Sequence, residues 1–463
     1  MQTPRVTQST AESADQTALR SRTIAWVVGL GFLGLVFDGY DLVVYDAVLP
    51  EFLKDPTQIG PVSSALGGAL GSYALFGVFV GALISGSISD YIGRRRLMLA
   101  AYALFSLAMG FTALTHTIAM FGLGRFLSGL GIGTLLATTA ALVAEVAPPG
   151  KKNLYNALCY SGIAFGSTLS ALLSIFLLDS LGWRGMFTIG ALPLITLLPL
   201  AVWKLPESVV WLTARGRHAD AAAMSQRTGI PVDEAPAVTL PAGQRERIGF
   251  AGLFSGGNAL PAVALGVTSG VCLLLVYSLN TWLPALLGRA GFSTKGSLTF
   301  LFVLNGAAVV GQLFGSRLAD RFGARRVVAS FFGVGAAALV LISFSFPVGV
   351  LLLFVAFVGI GTSGTQSLIY GFVANYFGTN VRGAAVAWCA GFGRLGGIIG
   401  PTLVGLLVAA QFSLVTIFYI LAALAVVGVV LALIVPRRRE PSDAAPAGIG
   451  ADPRVVEAAP PGP

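Results

Sequence analysis

The chain has 463 residues, of which 55% are hydrophobic and only 11% are charged. A soluble domain carries about 25% charged residues, so this much apolar sequence cannot be buried in soluble cores. Apolar segments of about 20 residues are long enough to span a bilayer. The three cysteines are far apart and only two histidines are present, so we expect no disulfide framework, no metal site and no cofactor. The composition indicates a helical membrane protein rather than an enzyme.

The basic residues predict how the chain is oriented in the membrane. We predict transmembrane helices, twelve in all, at 24–48, 64–89, 97–115, 118–145, 154–178, 185–203, 259–287, 297–319, 327–346, 348–377, 383–409 and 412–435. Most Lys and Arg then lie on one side, including Arg94–Arg96, Arg326 and Arg437–Arg439. Because cytoplasmic loops carry an excess of Lys and Arg, we place both termini in the cytoplasm and the protein in the cytoplasmic (inner) cell membrane. The net charge of +9 therefore indicates topology, not nucleic-acid binding.

The predicted helices form two groups of six. We divide the chain into a cytoplasmic N-terminal tail (1–23), a first six-helix half (24–203), a cytoplasmic connecting loop (204–257), a second six-helix half (258–436) and a disordered cytoplasmic tail (437–463). The halves contain a repeat, since GSISDYIGRRR at 86–96 aligns with SRLADRFGARR at 316–326. Two six-helix halves related by a parallel repeat are the plan of major facilitator transporters, which this arrangement resembles.

Three carboxylates interrupt the first predicted helix, in the run FDGYDLVVYDAVLP. Asp38 and Asp41 lie about 60° apart on a helix of 3.6 residues per turn, and Tyr45 lies on the same stripe. An Asp at the centre of a membrane helix costs roughly 2.5–3.5 kcal/mol on insertion scales, so the stripe must face a water-filled cavity or a cation. Ion pairs that only stabilise the helix are the alternative. We expect Asp46 to lie apart from the stripe, as a solvated residue at the outer mouth.

The loop after the second helix carries the pattern G-x-x-x-D-x-x-G-R-[RK], which resembles the loop motif of the major facilitator superfamily. Gly93 supplies backbone freedom for the turn, Asp90 caps the next helix or pairs with an Arg, and Arg94 can reach a neighbouring helix end. In the second copy, Asp320 aligns with Asp90 and Gly323 with Gly93, and Arg325 is the first basic residue after that glycine. The repetition favours a conformational role over a loop that only sets topology. We predict that both loops are cytoplasmic latches that do not touch substrate.

The fourth predicted helix contains an intramembrane arginine. Arg125, in GRFLSGLGIGTL, resembles the family pattern R-x-x-x-G-x-G-x-G, whose glycines permit close helix approach. Its charge needs a counter-charge or water, and the carboxylates of the first helix are candidate partners; a structural Arg near the interface is the alternative. Glu145 ends the same helix shortly before Lys151. We interpret Glu145 as a salt-bridge latch and place it with Arg125 among the conformational residues.

The second half contributes Arg394, in GFGRLGGIIGP on the eleventh predicted helix. Four glycines flank it, so packing gives little reason to bury an Arg there. A guanidinium in a low-dielectric cavity offers bidentate hydrogen bonds to a carboxylate, either a helix-1 Asp or a substrate carboxylate. Other polar and aromatic side chains are expected to line the cavity. They are Tyr277, Asn280, Thr281, Trp282, Asn305, Gln312, Gln366, Tyr370 and Trp388.

Three motifs together give a closer resemblance. They are D-G-Y-D in the first helix, LPESVVWL at 205–212 and G-R-L-G-G-I-I-G-P in the eleventh helix. In combination they look like the aromatic acid:proton symporter family, whose members take up benzoate, 4-hydroxybenzoate, protocatechuate and related acids. The resemblance implies proton-coupling acids at Asp38 and Asp41, loop acids at Asp90 and Asp320, and a functional cation at Arg394. Benzoate-type members usually have Gly where this chain has Asp46.

The sequence thus predicts proton-coupled uptake of an aromatic carboxylate, such as benzoate or a hydroxybenzoate, by alternating access. The expected substrate-binding residues are Arg394, Tyr45, Asn280, Trp282, Gln366, Tyr370 and Trp388. The expected partners are the small acid, protons and the lipid bilayer, and we expect a monomer. A symporter of a non-aromatic organic acid and a drug or metabolite efflux antiporter are the alternatives, whereas a receptor or an enzyme is less favoured. Asp41→Asn is expected to abolish proton-driven accumulation, as is Asp38→Asn unless Asp38 only pairs with an Arg.

Overall fold

The computed structural model describes residues 5–148, 151–232, 249–344 and 346–436. Within these ranges every regular element is a helix, and eleven helical stretches are long and apolar enough to cross a membrane. The side chain of Asp90 lies outside the described part of the chain, as do residues 233–248 and the predicted tail 437–463. The predicted all-helical membrane fold is confirmed.

The helices follow one another with short connections. The first half contains α1 (Arg5–Lys54), α2 (Ser64–Ile92), α3 (Arg94–Ala113), α4 (Ile118–Val146), α5 (Lys152–Gly190) and α6 (Leu197–Lys204). Three short helices follow, α7 (Val209–Ala214), α8 (His218–Thr228) and α9 (Gly249–Leu253). The second half contains α10 (Ala259–Arg289), α11 (Thr294–Phe322), α12 (Ala324–Leu341), α13 (Val348–Gly359), a π-helical turn (Ile360–Gly364), α14 (Thr365–Tyr376), α15 (Thr379–Ala409) and α16 (Leu414–Ile434).

The first helix is longer than the sequence predicts, because α1 begins within the predicted tail 1–23. Its polar part packs against α8. The hydroxyl of Thr23 donates a hydrogen bond to the carbonyl oxygen of Thr228 at 3.0 Å, and Gly229, which ends α8 with a φ of 67°, lies against the backbone of Arg20. This tertiary contact gives a polar segment without an interior Gly or Pro a reason to be helical.

The fifth and sixth crossings form one continuous stretch, Leu154–Lys204, of 51 residues. At about 1.5 Å per residue this stretch is more than twice the thickness of the hydrocarbon core, so it contains two crossings. Gly182 breaks the helix with a φ of 63°, between the two predicted helices. The sixth crossing is less regular than predicted, since a 3₁₀ turn at Leu192–Leu194 separates α5 from α6.

Within each half, neighbouring helices approach so closely that their backbones touch. A Cβ atom at Gly166 of α5 would collide with the carbonyl oxygen of Val36 in α1. In the second half, a Cβ atom at Gly396 of α15 would likewise collide with the carbonyl oxygen of Gly270 in α10. Small residues permit this packing in membranes, where van der Waals contact drives helix association. Each half is therefore a tightly packed unit.

The two halves contact each other towards one side of the membrane. We call the side with the α2–α3 and α11–α12 turns the basic face, and the other side the opposite face. Near the opposite face, the Ser72 hydroxyl of α2 lies 2.6 Å from the carbonyl oxygen of Ile398 in α15, and Gly68 lies against the backbone of Pro401. At the rim, Lys295 of α11 pairs with Asp179 of α5 at 3.1 Å. These contacts join the halves between the central charged residues and the opposite face.

Candidate functional site

A buried ion pair joins α1 to α4. The Arg125 guanidinium donates to the carboxylate of Asp41, and also to the Asp41 carbonyl oxygen at 3.2 Å. Ser128 donates to the second carboxylate oxygen at 3.3 Å. Asp41 and Arg125 are 0% and 1% exposed. Of the candidate helix-1 partners of Arg125, the structure selects Asp41.

Aromatic rings enclose this pair. The Arg125 guanidinium carbon lies 5.1 Å from the Tyr45 ring centroid and 5.9 Å from that of Phe187. The Tyr45 hydroxyl donates to the carbonyl oxygen of Gly67 at 2.5 Å. Cation–π contact stabilises a desolvated guanidinium. Tyr45, predicted to bind substrate, therefore belongs to the environment of Arg125 and is itself fully buried.

A second acid–arginine arrangement, Asp38 and Arg394, spans the two halves. The two side chains interact electrostatically, but within the described residues they form no ion pair within 4.0 Å. Asp38 is 3% exposed, whereas Arg394 is half-buried. The Arg394 guanidinium also has no hydrogen-bond partner in the described part of the chain. A central cation is thus available to a ligand.

Three phenol side chains lie within the electrostatic reach of Arg394. Tyr160 of α5, Tyr277 of α10 and Tyr370 of α14 all interact with its charge. Tyr370 was predicted as a binding residue and Tyr277 as a lining residue, but Tyr160 was missed. Nothing in the sequence around Tyr160 distinguishes it from an ordinary helix residue. It is located only by the tertiary structure, which brings it within electrostatic range of Arg394 and Tyr370, while its hydroxyl donates to the carbonyl oxygen of Leu136 at 3.2 Å.

Gln366 brings a polar side chain to the same region. Its Nε2 donates to Ser269 Oγ at 3.0 Å, and the side chain hydrogen-bonds Tyr370. Its Oε1 is buried without a hydrogen-bond partner among the described residues. Gln366 follows the π-helical turn at Ile360–Gly364, and such turns occur frequently at functional sites. The orphaned oxygen can accept a hydrogen bond from a ligand.

The remaining predicted binding residues direct their polar atoms to other parts of the protein. Trp282 donates to the carbonyl oxygen of Pro401 at 2.8 Å, and Trp388 donates to that of Ala262 at 2.9 Å. The Trp388 ring also packs on two phenylalanines. Asn280 accepts a hydrogen bond from Asn305 at 2.8 Å. The polar atoms of these three side chains are therefore bonded within the protein, and their role in binding stays a prediction.

Asp46 is not the solvated mouth residue that the sequence predicts. It is 4% exposed and has a side-chain hydrogen bond with Thr281 of α10. The expectation is wrong because α1 continues to Lys54 and α10 covers the face of α1 that carries Asp46. A hydroxyl donor compensates part of the cost of burying the carboxyl group.

The first loop motif holds a network at the basic face. Gly93 has a φ of 98°, which favours glycine, and this turn lets Arg94 donate to Glu145 at 3.1 Å. Glu145 therefore pairs with Arg94 rather than with Lys151. Glu207 of the LPESVVWL segment accepts a hydrogen bond from the backbone N–H of Arg95 at 3.0 Å.

The second loop motif has the same turn in a different setting. Gly323 has a φ of 86°, but Asp320 is exposed. Arg325 donates to the carbonyl oxygen of Leu433 at the end of α16. The Asp90 side chain, the counterpart of Asp320, lies outside the described residues. In the described part of the chain, only the first motif has an acid–base pair like that of Arg94 and Glu145.

A two-half, twelve-crossing helical bundle with charged residues at its centre is the architecture of a secondary transporter. The fold is similar to that of a crystal structure of a D-xylose-proton symporter, with a TM-score of 0.71 at 19% identity, over 89% of this chain and 98% of that one. Residues 25–437 match the model of the family described as "Sugar (and other) transporter". The chain belongs to this family of the major facilitator superfamily, whose members are transporters.

Several transporters whose names state an aromatic acid substrate are similar to this chain over most of their length. The benzoate transport protein of Acinetobacter baylyi is 33% identical, over 89% of this chain and 90% of that protein. The gentisate transporter of Corynebacterium glutamicum is 31% identical, over 87% of this chain and 88% of that protein. The 4-hydroxybenzoate transporter of Acinetobacter baylyi is 27% identical, over 86% and 88%. The resemblance to aromatic acid transporters is confirmed.

Proposed function

We propose that this protein carries a small aromatic carboxylate, of the benzoate or hydroxybenzoate type, across the cytoplasmic membrane together with a proton. The observation that carries the proposal is Arg394, a central cation without a hydrogen-bond partner among the described residues. Its planar fork matches a carboxylate. Tyr160, Tyr277 and Tyr370 offer flat apolar faces for an aromatic ring, and Tyr277 and Tyr370 also offer hydroxyl groups. The relatives named for benzoate, gentisate and 4-hydroxybenzoate support the same substrate class.

Asp38 is the proposed proton site, with Asp41 as its coupled neighbour. Asp38 interacts with both Arg394 and Asp41, whereas Asp41 is already bonded to Arg125. When a substrate carboxylate binds Arg394, it offsets the positive charge that stabilises the ionised form of Asp38, so Asp38 takes up a proton. One proton per monoanion makes the cycle electroneutral, and a gradient of one pH unit then gives about ten-fold accumulation.

The basic-face loops are the proposed conformational elements. The halves contact each other near the opposite face through Ser72, Gly68 and Pro401, which supports a form that opens towards the basic face. We assign the basic face and both termini to the cytoplasm. In the outward-facing form, the loops that contain Asp90 and Asp320 close the basic face, while Arg94, Gly93, Glu145, Gly323 and Arg325 set the loop geometry.

Counterflow of labelled benzoate in proteoliposomes tests the transport function. Vesicles preloaded with unlabelled benzoate are expected to take up label, and gentisate inside should replace benzoate. Cyclohexanecarboxylate is the matched control, because it has the carboxylate and the six-membered ring without the aromatic faces. Equal counterflow with cyclohexanecarboxylate would favour a general organic-acid transporter.

The direction and the coupling are tested in the same vesicles. An imposed gradient, acidic outside, should drive benzoate accumulation, and a protonophore should abolish it. Proton-driven release of benzoate, with no accumulation in either orientation, would instead identify an efflux antiporter. An absence of counterflow with every aromatic acid would refute the proposed substrate class.

A further inference from the structure

A cavity of about 420 Å³ lies at the basic face between α1, the end of α6 and α8. This volume is in the range of small-molecule sites. It is separate from the central residues, since its walls come from the polar start of α1 and from the connection between the halves. The charged side chains in its lining are Arg22, Arg95, Lys204, Arg227 and Glu207.

The cavity has more positive than negative charge. Its carboxylate, Glu207, already accepts hydrogen bonds from the backbone N–H groups of Arg95 and Ser208, both at 3.0 Å. Arg22, Lys204 and Arg227 pair with no carboxylate in the described part of the chain. The Arg95 guanidinium donates to the carbonyl oxygen of Val202 at 2.6 Å, while its Nε is buried without a partner there. This arrangement is suited to an anion.

The rim of the cavity lies where α6 leaves the membrane. Trp203 is 76% exposed and the adjacent Val202 is 50% exposed, although both belong to a membrane-crossing stretch. Lys204 Nζ lies 3.3 Å from the Trp203 ring centroid and 5.3 Å from that of Trp26. Tryptophan is enriched at the membrane–water interface, and basic pockets beside transmembrane helices bind anionic lipid headgroups.

We propose that this cavity binds the phosphate of an anionic phospholipid. Arg22, Lys204 and Arg227 hold the phosphate, and the acyl chains lie along the exposed surface of Val202 and Trp203. A lipid is favoured over free phosphate because the cations adjoin a surface that is apolar and exposed at membrane depth.

Native mass spectrometry of the full-length protein tests the site with phosphatidylglycerol and phosphatidylcholine as probes. The wild type is expected to bind phosphatidylglycerol more tightly. Arg22→Gln/Arg227→Gln should weaken this binding about 25-fold, or roughly five-fold per charge. Arg317→Gln/Arg321→Gln is the matched control: it removes two exposed basic charges from the second half and should change the affinity less than two-fold.

Two further measurements separate the sources of the phosphate and guard against misfolding. Arg22→Lys/Arg227→Lys should bind phosphatidylglycerol within about three-fold of the wild type, since the charges remain. Free glycerol phosphate should compete only at far higher concentration than the lipid. Glycerol phosphate that binds as tightly as the lipid would overturn the lipid assignment. Equal retention of the two lipids by the wild type, or an equal loss in the Arg317/Arg321 control, would overturn the site.

Discussion

Asp41–Arg125 and Asp38–Arg394 use the same residue types in opposite ways. Asp41 and Arg125 both belong to the first half, and their ion pair is closed and fully buried. Asp38 and Arg394 belong to different halves and interact without an ion pair. A rigid rotation of one half against the other leaves the first pair intact and changes the distance in the second. The distance within an acid–arginine pair can therefore change during such a rotation only if its two residues belong to different halves.

The largest expected effect is on stability, and it distinguishes the structural Asp41–Arg125 pair from the proposed binding residue Arg394. Arg125→Met leaves the Asp41 carboxylate buried without its cation, and breaking a buried pair in this way costs about 3–5 kcal/mol. Arg394→Met removes no ion pair, so we expect a much smaller loss of stability. Thermal and denaturant unfolding in detergent measures both. Asp41→Asn/Arg125→Met should recover part of the loss, and equal destabilisation by Arg394→Met would erase the distinction.

Substrate affinity should depend on the shape as well as the charge of Arg394. Arg394→Lys keeps the charge but loses the planar fork. Loss of a charged hydrogen bond corresponds to roughly 10- to 150-fold in affinity, and we expect benzoate binding to weaken by this amount. Arg317→Lys, at an exposed position, is the matched control. Near-normal affinity in Arg394→Lys would show that Arg394 does not clamp the carboxylate.

Proton coupling should be lost in Asp38→Asn and retained in Asp46→Asn. With a gradient of one pH unit, Asp38→Asn is expected to reduce the roughly ten-fold accumulation of a 1:1 symporter to equilibration, while counterflow continues because Arg394 remains. Asp46→Asn should retain accumulation, since an amide oxygen can still accept the hydrogen bond from Thr281. Uptake into proteoliposomes measures both. Full accumulation by Asp38→Asn would reassign the proton to another group.

The smallest expected effect is on the rate of exchange between conformations, through the Arg94–Glu145 pair of the first loop motif. Glu145→Gln removes the negative charge beside Arg94, whose side chain is 16% exposed. Because the amide oxygen can still accept the hydrogen bond, the loss is the difference between a charged and a neutral hydrogen bond, about 1 kcal/mol. We expect up to about five-fold change in the rate of exchange between conformations, with benzoate affinity unchanged. Asp220→Asn, which breaks the exposed Arg217–Asp220 pair outside these loops, is the control and should change the rate less than two-fold. A large loss of affinity in Glu145→Gln would place it in the substrate site.

The sequence predicts most of the fold, because membrane crossings depend on apolar length and composition, which are local properties. The turns at Gly93 and Gly323 were predictable for the same reason. The division into two halves was predicted from the repeated loop motif. The fifth and sixth crossings were located on either side of Gly182, although their joining into one stretch was not foreseen. The π-helical turn at Ile360–Gly364 leaves no comparable local signal.

The central site was predicted only in part, because it depends on which helices face each other. Arg394 and the helix-1 acids were identifiable as intramembrane charges, which are costly wherever they lie. Whether an aromatic residue binds or packs depends on tertiary contacts, which the sequence does not give. The N–H of Trp282, for example, is bonded to Pro401, and a role of its ring in binding stays a prediction. The burial of Asp46 was missed for the same reason, since its cover is supplied by α10.

The contact between α2 and α15 has a consequence for the speed of turnover. At Gly68 and Pro401 two backbones face each other without intervening side chains. Interlocked side chains must change rotamer before two helices can separate, but smooth backbone surfaces need no such rearrangement. The activation barrier for opening this seam is therefore concentrated in a few polar contacts, chiefly those of Ser72 with Ile398 and Thr402.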